Sequence, residues 1–237
     1  MSIAKQSSKH PGKSANGPDY REGFVRDVHR LIARGYARLT PSQYAKTVEE
    51  ELTEHLAVAI DDEIMAANSP GWMHRYHVAD DVHVRHAKRK GKKRPLVDIE
   101  IVDVKSRPRP RFHFEAKRLG KKNGVGKYVG QSGLGCILSG EYARDSNVAG
   151  MLGYVQAGTS ADWAPKIEKK LHGNRNKYQM VAGTTWELNS PTTELAEVYR
   201  TQHLRPSVAR PVVVYHTLLL CCSPSPAIIS LPPKPSH

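Results

Sequence analysis

The stretch Leu96-Val97-Asp98-Ile99-Glu100-Ile101-Val102, followed by Arg111-Phe112-His113-Phe114-Glu115-Ala116-Lys117-Arg118, decides the fold. Both runs alternate with period two, so both predict β-strands. Alternation puts Asp98 and Glu100 on one face of the first strand and Val97, Ile99 and Ile101 on the other. In the second it groups His113, Glu115 and Lys117 opposite Phe112 and Phe114. Paired as a hairpin, the strands bring two carboxylates and an ammonium into one region. A carboxylate pair suits a hard divalent cation such as Mg²⁺. A lysine beside it can orient or activate an attacking water, or stabilise charge building on a phosphate. The pattern points to metal-assisted phosphodiester hydrolysis. The same spacing also serves a cross-strand ion pair on a solvated sheet face, and the neighbouring elements and the charge distribution decide between the two.

Working outward, Tyr20 to Leu39 predicts a helix with Phe24, Val28, Leu31 and Ile32 inward. Thr47 to Ala67 is the strongest helical pattern, with Val48, Leu52, Leu56, Ala59, Ile60 and Ile64 at helical spacing and an acidic first turn. Tyr76 to Ala87 predicts a strand, and Lys90-Gly91-Lys92 a hairpin turn. Ser106 to Pro110 carries two prolines and is a linker. Tyr128 to Ala143 predicts a helix weakened by four glycines. Val148 to Val155 is a short apolar strand. Ser160 to Leu171 predicts a helix that Ser160 can cap. Tyr178 to Asn189 and Ala209 to Cys222 predict strands flanking a helix at Thr193 to Thr201. Residues 1–18 and the Pro-rich segment 223–237 predict disordered tails around one domain, 19–222.

The formal net charge is +13. Between Arg85 and Lys127 there are sixteen Lys or Arg against four Asp or Glu, so nearly all the excess surrounds the paired strands. A polyanion is the natural partner, and nucleic acid is the commonest one. Lys88, Arg89, Lys90, Lys92, Lys93, Arg94, Arg107, Arg109, Lys121 and Lys122 are the candidate phosphate contacts.

From residue 47 the order is α, β, β, β, α, β, with Asp98 on the second strand and Glu115-Ala116-Lys117 on the third. This resembles the PD-(D/E)xK nuclease superfamily, the restriction-endonuclease-like fold, over residues 47–155. The resemblance implies an α/β fold with a mixed central sheet flanked by helices, here with extra C-terminal strands and a helix. It implies that Asp98, Glu115 and the Ala116 carbonyl bind Mg²⁺, with Mn²⁺ as a substitute. Lys117 would position or activate water. In this family the leading helix often adds an acid. Glu51 is the first choice here, at the edge of the apolar stripe, with Glu49 next. The implied activity is that of a DNA nuclease acting on double-stranded DNA, in restriction or phage defence, as a homodimer or in a larger complex. Asp98 lacks the adjacent proline of the motif, and no Gln–Tyr pair follows Gln131. The alternative is a non-catalytic nucleic-acid-binding subunit.

Other constellations fail. Gly120 to Lys127 lacks the glycine spacing of a nucleotide-binding P-loop, and Tyr128 follows its lysine. His83 and His86 fall on opposite strand faces, and no cysteine lies near, so a zinc site is not indicated. Three cysteines form no framework, and the first twenty residues lack an apolar secretory segment. No apolar run reaches the ~20 residues of a membrane span. These features predict a cytoplasmic protein with no membrane partner.

Overall fold

The structure, a computed structural model, describes residues 18–84 and 89–222. The two predicted tails and Lys88 lie outside the described residues, although Pro18 already belongs to the first helix. The helices are α1 (Pro18–Arg38), α2 (Glu49–Met65), α3 (Val125–Tyr128), α4 (Leu134–Leu138) and α5 (Ser160–His172). The strands are β1 (Tyr76–His83), β2 (Leu96–Asp103), β3 (Arg111–Leu119), β4 (Val148–Val155), β5 (Glu187–Leu188), β6 (Val198–His203) and β7 (Val212–Leu220).

Seven strands form one mixed sheet in the order β1-β2-β3-β4-β7-β6-β5. β1, β2 and β3 are an antiparallel meander. β4 runs parallel to both β3 and β7, and the β7, β6, β5 edge is antiparallel. This is an α/β fold with helices on both faces. All eight residues of β4 are buried, as expected of a central parallel strand covered on both sides.

Two cores flank the sheet. On one face, Leu31 and Ile32 of α1 and Leu52, Leu56 and Ile60 of α2 pack on Ile99, Ile101, Phe112 and Phe114. On the other, Leu134 and Ile137 of α4 and Ile167 and Leu171 of α5 pack on Leu119, Ala149 and Met151. Ile99, Ile101, Phe112 and Phe114 are therefore buried under α1 and α2, whereas Val97, expected on the same face as Ile99, joins the second core, towards which Glu115 and Lys117 also turn.

Four expectations need correction. Thr159, not Ser160, caps α5, in a capping box with Asp162. The helix expected over 128–143 is two short helices, because Gly130, Gly133 and Gly135 fold the chain back on itself. A Cβ at Gly133 would lie 2.3 Å from the Tyr128 carbonyl oxygen. The strand expected over 178–189 shrinks to β5. The helix expected over 193–201 is instead a turn followed, from Val198, by the start of β6. Leu195 and Val198 are three residues apart and both buried, which mimics helical spacing, but β7 offers Val198 to His203 a strand partner. Tertiary pairing overrides the local pattern. Among the described residues no helix is long and apolar enough to cross a membrane.

Candidate active site

β2 and β3 pair from Val102–Arg111 to Ile99–Phe114 and then part. Beyond that point, the β3 amides on the side facing β2 lose their strand partner. Two carboxylates take their place. The Ala116 N–H donates to Asp98 Oδ2 at 2.5 Å, and the Arg118 N–H donates to Glu49 Oε2 at 3.0 Å. The opening between the strands is thus lined by acids because backbone donors there need acceptors.

The Lys117 ammonium completes the cluster. It donates to the Ala116 carbonyl at 2.6 Å, to Glu115 Oε1 at 2.7 Å and to Glu49 Oε1 at 2.8 Å. Three protons meet three oxygens. Asp98, Glu115 and Lys117 therefore converge as expected. The helix acid is Glu49 and not the first choice, Glu51. Glu49 and Thr53 lie one turn apart on the sheet-facing side of α2, and the Thr53 hydroxyl is 3.1 Å from the Tyr154 hydroxyl. Glu51, about 200° round the helix, is exposed.

Glu115 is 4% exposed. Burial pushes its carboxyl well above the usual carboxylate range, and the charge of Asp98 adds to this. Burial likewise raises Asp98 to about 6, against the pull of Lys117 and the Ala116 N–H. Burial disfavours the Lys117 charge, yet Glu115 and Asp98 hold its pKa above that of an ordinary lysine. Lys117 is thus a fixed cation between two carboxylates that resist double ionisation.

Glu115 Oε2 is buried and has no hydrogen-bond partner. An orphaned carboxylate oxygen, a second carboxylate and a carbonyl are all hard oxygen donors, and they fit a divalent cation of the Mg²⁺ type. Among the described residues, no group of three or more His, Cys, Asp or Glu side chains is arranged to hold a metal ion. The fit here rests on two carboxylates and a main-chain oxygen, with the ammonium between them.

Several neighbours were not legible as site residues. The charge of Glu115 reaches the Cys136 thiol, which burial pushes up to about 12, and the Tyr142 hydroxyl, which burial also raises. Tyr142 comes in on a turn that Gly140 makes with φ +75°. Asp81 faces Asp98 in the β1–β2 register, where the ladder skips one pair. It adopts φ +47°, and its charge also raises Asp98. Gln156 donates to the Tyr44 and Thr47 carbonyls at 2.8 and 2.7 Å, pinning the chain ahead of α2 to the end of β4. A Gln directly after the β4 run was the available signal.

His113 shares the face of Glu115 but is fully engaged. Its Nδ1 accepts the Ala143 N–H at 3.1 Å, so Nε2 carries the proton and donates to Glu100 at 2.7 Å. Arg111 holds the other Glu100 oxygen at 2.7 Å. This trio braces β3 and leaves no free base.

The basic residues divide by position. Lys90, Lys92, Lys93 and Arg94 precede β2, and Lys121 and Lys122 follow β3, so both groups lie at the end of the meander where the acids converge. Arg89 lies with the first group and pairs with Glu141 at 2.6 Å. Arg107 and Arg109 sit in the β2–β3 connection, at the opposite end. A surface groove lined by Thr184, Thr185, Glu187, Arg200 and Gln202 lies near β5 and β6 and holds none of the site residues. No protein-family model, curated protein or solved structure matches this chain.

Proposed function

We propose that this chain is a metal-dependent nuclease of the PD-(D/E)xK type that hydrolyses phosphodiester bonds in DNA, on a restriction-endonuclease-like core. Its main support is the convergence of Asp98, Glu115, the Ala116 carbonyl and Lys117 at the opening between β2 and β3, with one Glu115 oxygen buried and unpartnered.

Asp98, Glu115 and the Ala116 carbonyl would hold Mg²⁺, or Mn²⁺ in its place. Such an ion neutralises phosphate charge and lowers the pKa of a bound water. In the absence of a cation the surrounding carboxylates hold the Lys117 pKa up and keep its ammonium form. It therefore acts as a hydrogen-bond donor to the attacking water or to a phosphate oxygen, not as a base. Asp98 also fixes Ala116 through its amide, which aims the Ala116 carbonyl into the site. Lys90, Lys92, Lys93, Lys121 and Lys122 are exposed at the same end and supply sequence-independent grip on phosphates.

The test is cleavage of supercoiled and linear duplex DNA with Mg²⁺, Mn²⁺ or EDTA. Metal-dependent cleavage is expected, and Asp98→Ala, Glu115→Ala and Lys117→Ala should each abolish it while salt-sensitive binding persists. Binding without turnover in the wild type would favour the second reading, a non-catalytic nucleic-acid-binding subunit.

A further inference from the structure

We propose that Glu49 is the docking carboxylate of the Lys117 ammonium, and that this ammonium sits on two of the cation's own ligand groups until a divalent cation displaces it. This rests on the metal-dependent reading above. Two of the three groups that Lys117 holds, the Glu115 carboxylate through Oε1 and the Ala116 carbonyl, are the ones assigned to the cation, the other Glu115 oxygen, Oε2, being the unpartnered one. An ammonium and a divalent ion cannot share them, because like charges at that range repel strongly inside a protein.

Glu49 stands apart from that competition. Its Oε2 is held by the Arg118 N–H. Its backbone is fixed by the Thr53 hydroxyl, which donates to the Glu49 carbonyl at 2.8 Å. The chain just ahead of it is pinned by Gln156. Glu49 therefore keeps its place whatever Lys117 does, and its Oε1 remains available to the ammonium. The flexible four-carbon stem of a lysine allows such a swing. No covalent bond changes and the ammonium keeps its proton. Glu49 is thus a positioning residue that acts through Lys117, not a cation ligand.

The experiment is calorimetric titration of Mn²⁺ and Mg²⁺ into the full chain and into Lys117→Met, Glu49→Gln and the double variant. Lys117→Met should bind the ion roughly tenfold tighter or more, because a competing charge has gone. Glu49→Gln should weaken binding in the wild-type background, where the displaced ammonium has lost its berth. In the Lys117→Met background it should change affinity by less than about threefold, since residues acting through one another are non-additive. Unchanged or weaker binding by Lys117→Met overturns the proposal. So does a Glu49→Gln loss of equal size in both backgrounds, which would make Glu49 a ligand. Circular dichroism checks folding. If Lys117→Met does not fold, Lys117→Gln removes the same charge, can still hydrogen-bond Glu115 and must show the same tightening. Wild type that follows this pattern but cleaves no nucleic acid overturns the nuclease reading and leaves the exchange standing. Failure of both wild type and the Lys117 variant to bind either ion overturns the exchange.

Discussion

Glu49 and Lys117 lie 68 positions apart in the chain and 2.8 Å apart in space. The contact joins the first turn of α2 to the last residues of β3, and it selects one acid from three. Glu50 and Glu51 are exposed, while Glu49 bridges the Lys117 ammonium and the Arg118 amide. Glu49→Gln should therefore lower Mg²⁺-dependent duplex cleavage by about 10- to 100-fold, the scale on which small misplacements of a catalytic group act. Glu51→Gln should leave the rate within about twofold, as expected of a surface change far from the chemistry. Matched single-turnover rates for the two variants check this, and the reverse order would move the helix acid to Glu51.

Lys117 also carries stability. Its side chain is 12% exposed and that of Glu115 is 5%, so removing the ammonium strands a buried carboxylate. Breaking such a pair from one side typically costs about 3 kcal/mol or more. Lys117→Met should thus lower Tm by roughly 5–10 °C in EDTA, given the size of the domain. Adding Glu115→Gln should restore most of the loss, because the lone charge is then gone. Thermal melts of the two variants decide it, and an undiminished loss in the double variant would place the cost elsewhere.

Much of this was legible because the deciding residues sit in strands with clean alternation. Asp98, Glu115 and Lys117 could be placed on strand faces from two short runs, and β4 from its unbroken apolar stretch. The choice between Glu49 and Glu51 was not legible. It depends on how α2 docks against the end of β3, and both residues belong to the same acidic first turn. β6 was misread because Leu195 and Val198 alone look helical, whereas the strand is fixed by antiparallel pairing with β7, the next strand in the chain. Tyr142 reads in the sequence as helix packing and not as a site neighbour, because the turn that delivers it needs the left-handed conformation of Gly140. The sequence shows a glycine there, but not where the turn leads.

A buried chain of hydrogen bonds makes the fold acid-sensitive. Tyr128 OH meets His216 Nδ1 at 3.1 Å, and His216 Nε2 meets Thr201 Oγ1 at 2.8 Å. The Thr201 hydroxyl also meets His203 Nε2 at 2.7 Å, and His203 Nδ1 donates to the Tyr178 carbonyl at 2.7 Å. Burial lowers His203 to about 4 and lowers His216 well below the ordinary value. Below about pH 6.5 the unfolded chain takes up protons that the folded chain refuses. The contribution of these histidines is therefore complete above that pH and is lost as pH falls towards 4, by about 1.4 kcal/mol per pH unit for each, while the raised Asp98 and Glu115 carboxyls act in the opposite sense. Urea denaturation at intervals from pH 7 to 4.5 measures the slope. His203→Gln should reduce it by about one proton, and an unchanged slope would remove His203 from the account.

The two basic ends of the meander should behave differently towards DNA. Lys121 and Lys122 are exposed just beyond β3, at the end that carries Lys117, and Lys92 and Lys93 are exposed just before β2. Arg107 and Arg109 lie past the other end of β3, and Arg111 alone is already about 13 Å along the strand from Glu115. The Arg107 guanidinium is also engaged, donating to the Val104 and Ser106 carbonyls at 3.0 and 2.9 Å. A duplex held at the acids thus meets the site-end lysines first. Lys121→Ala with Lys122→Ala should weaken duplex binding and flatten the dependence of log affinity on log salt by about 2, close to one counterion for each lost phosphate contact. Arg107→Ala with Arg109→Ala should change that slope by less than about 1, since few phosphate contacts are lost. Binding isotherms between low and moderate salt give both slopes. If the far-end pair has the larger effect, the duplex lies across the β2–β3 connection, and the carboxylates at the opening of β2 and β3 are not where it is cut.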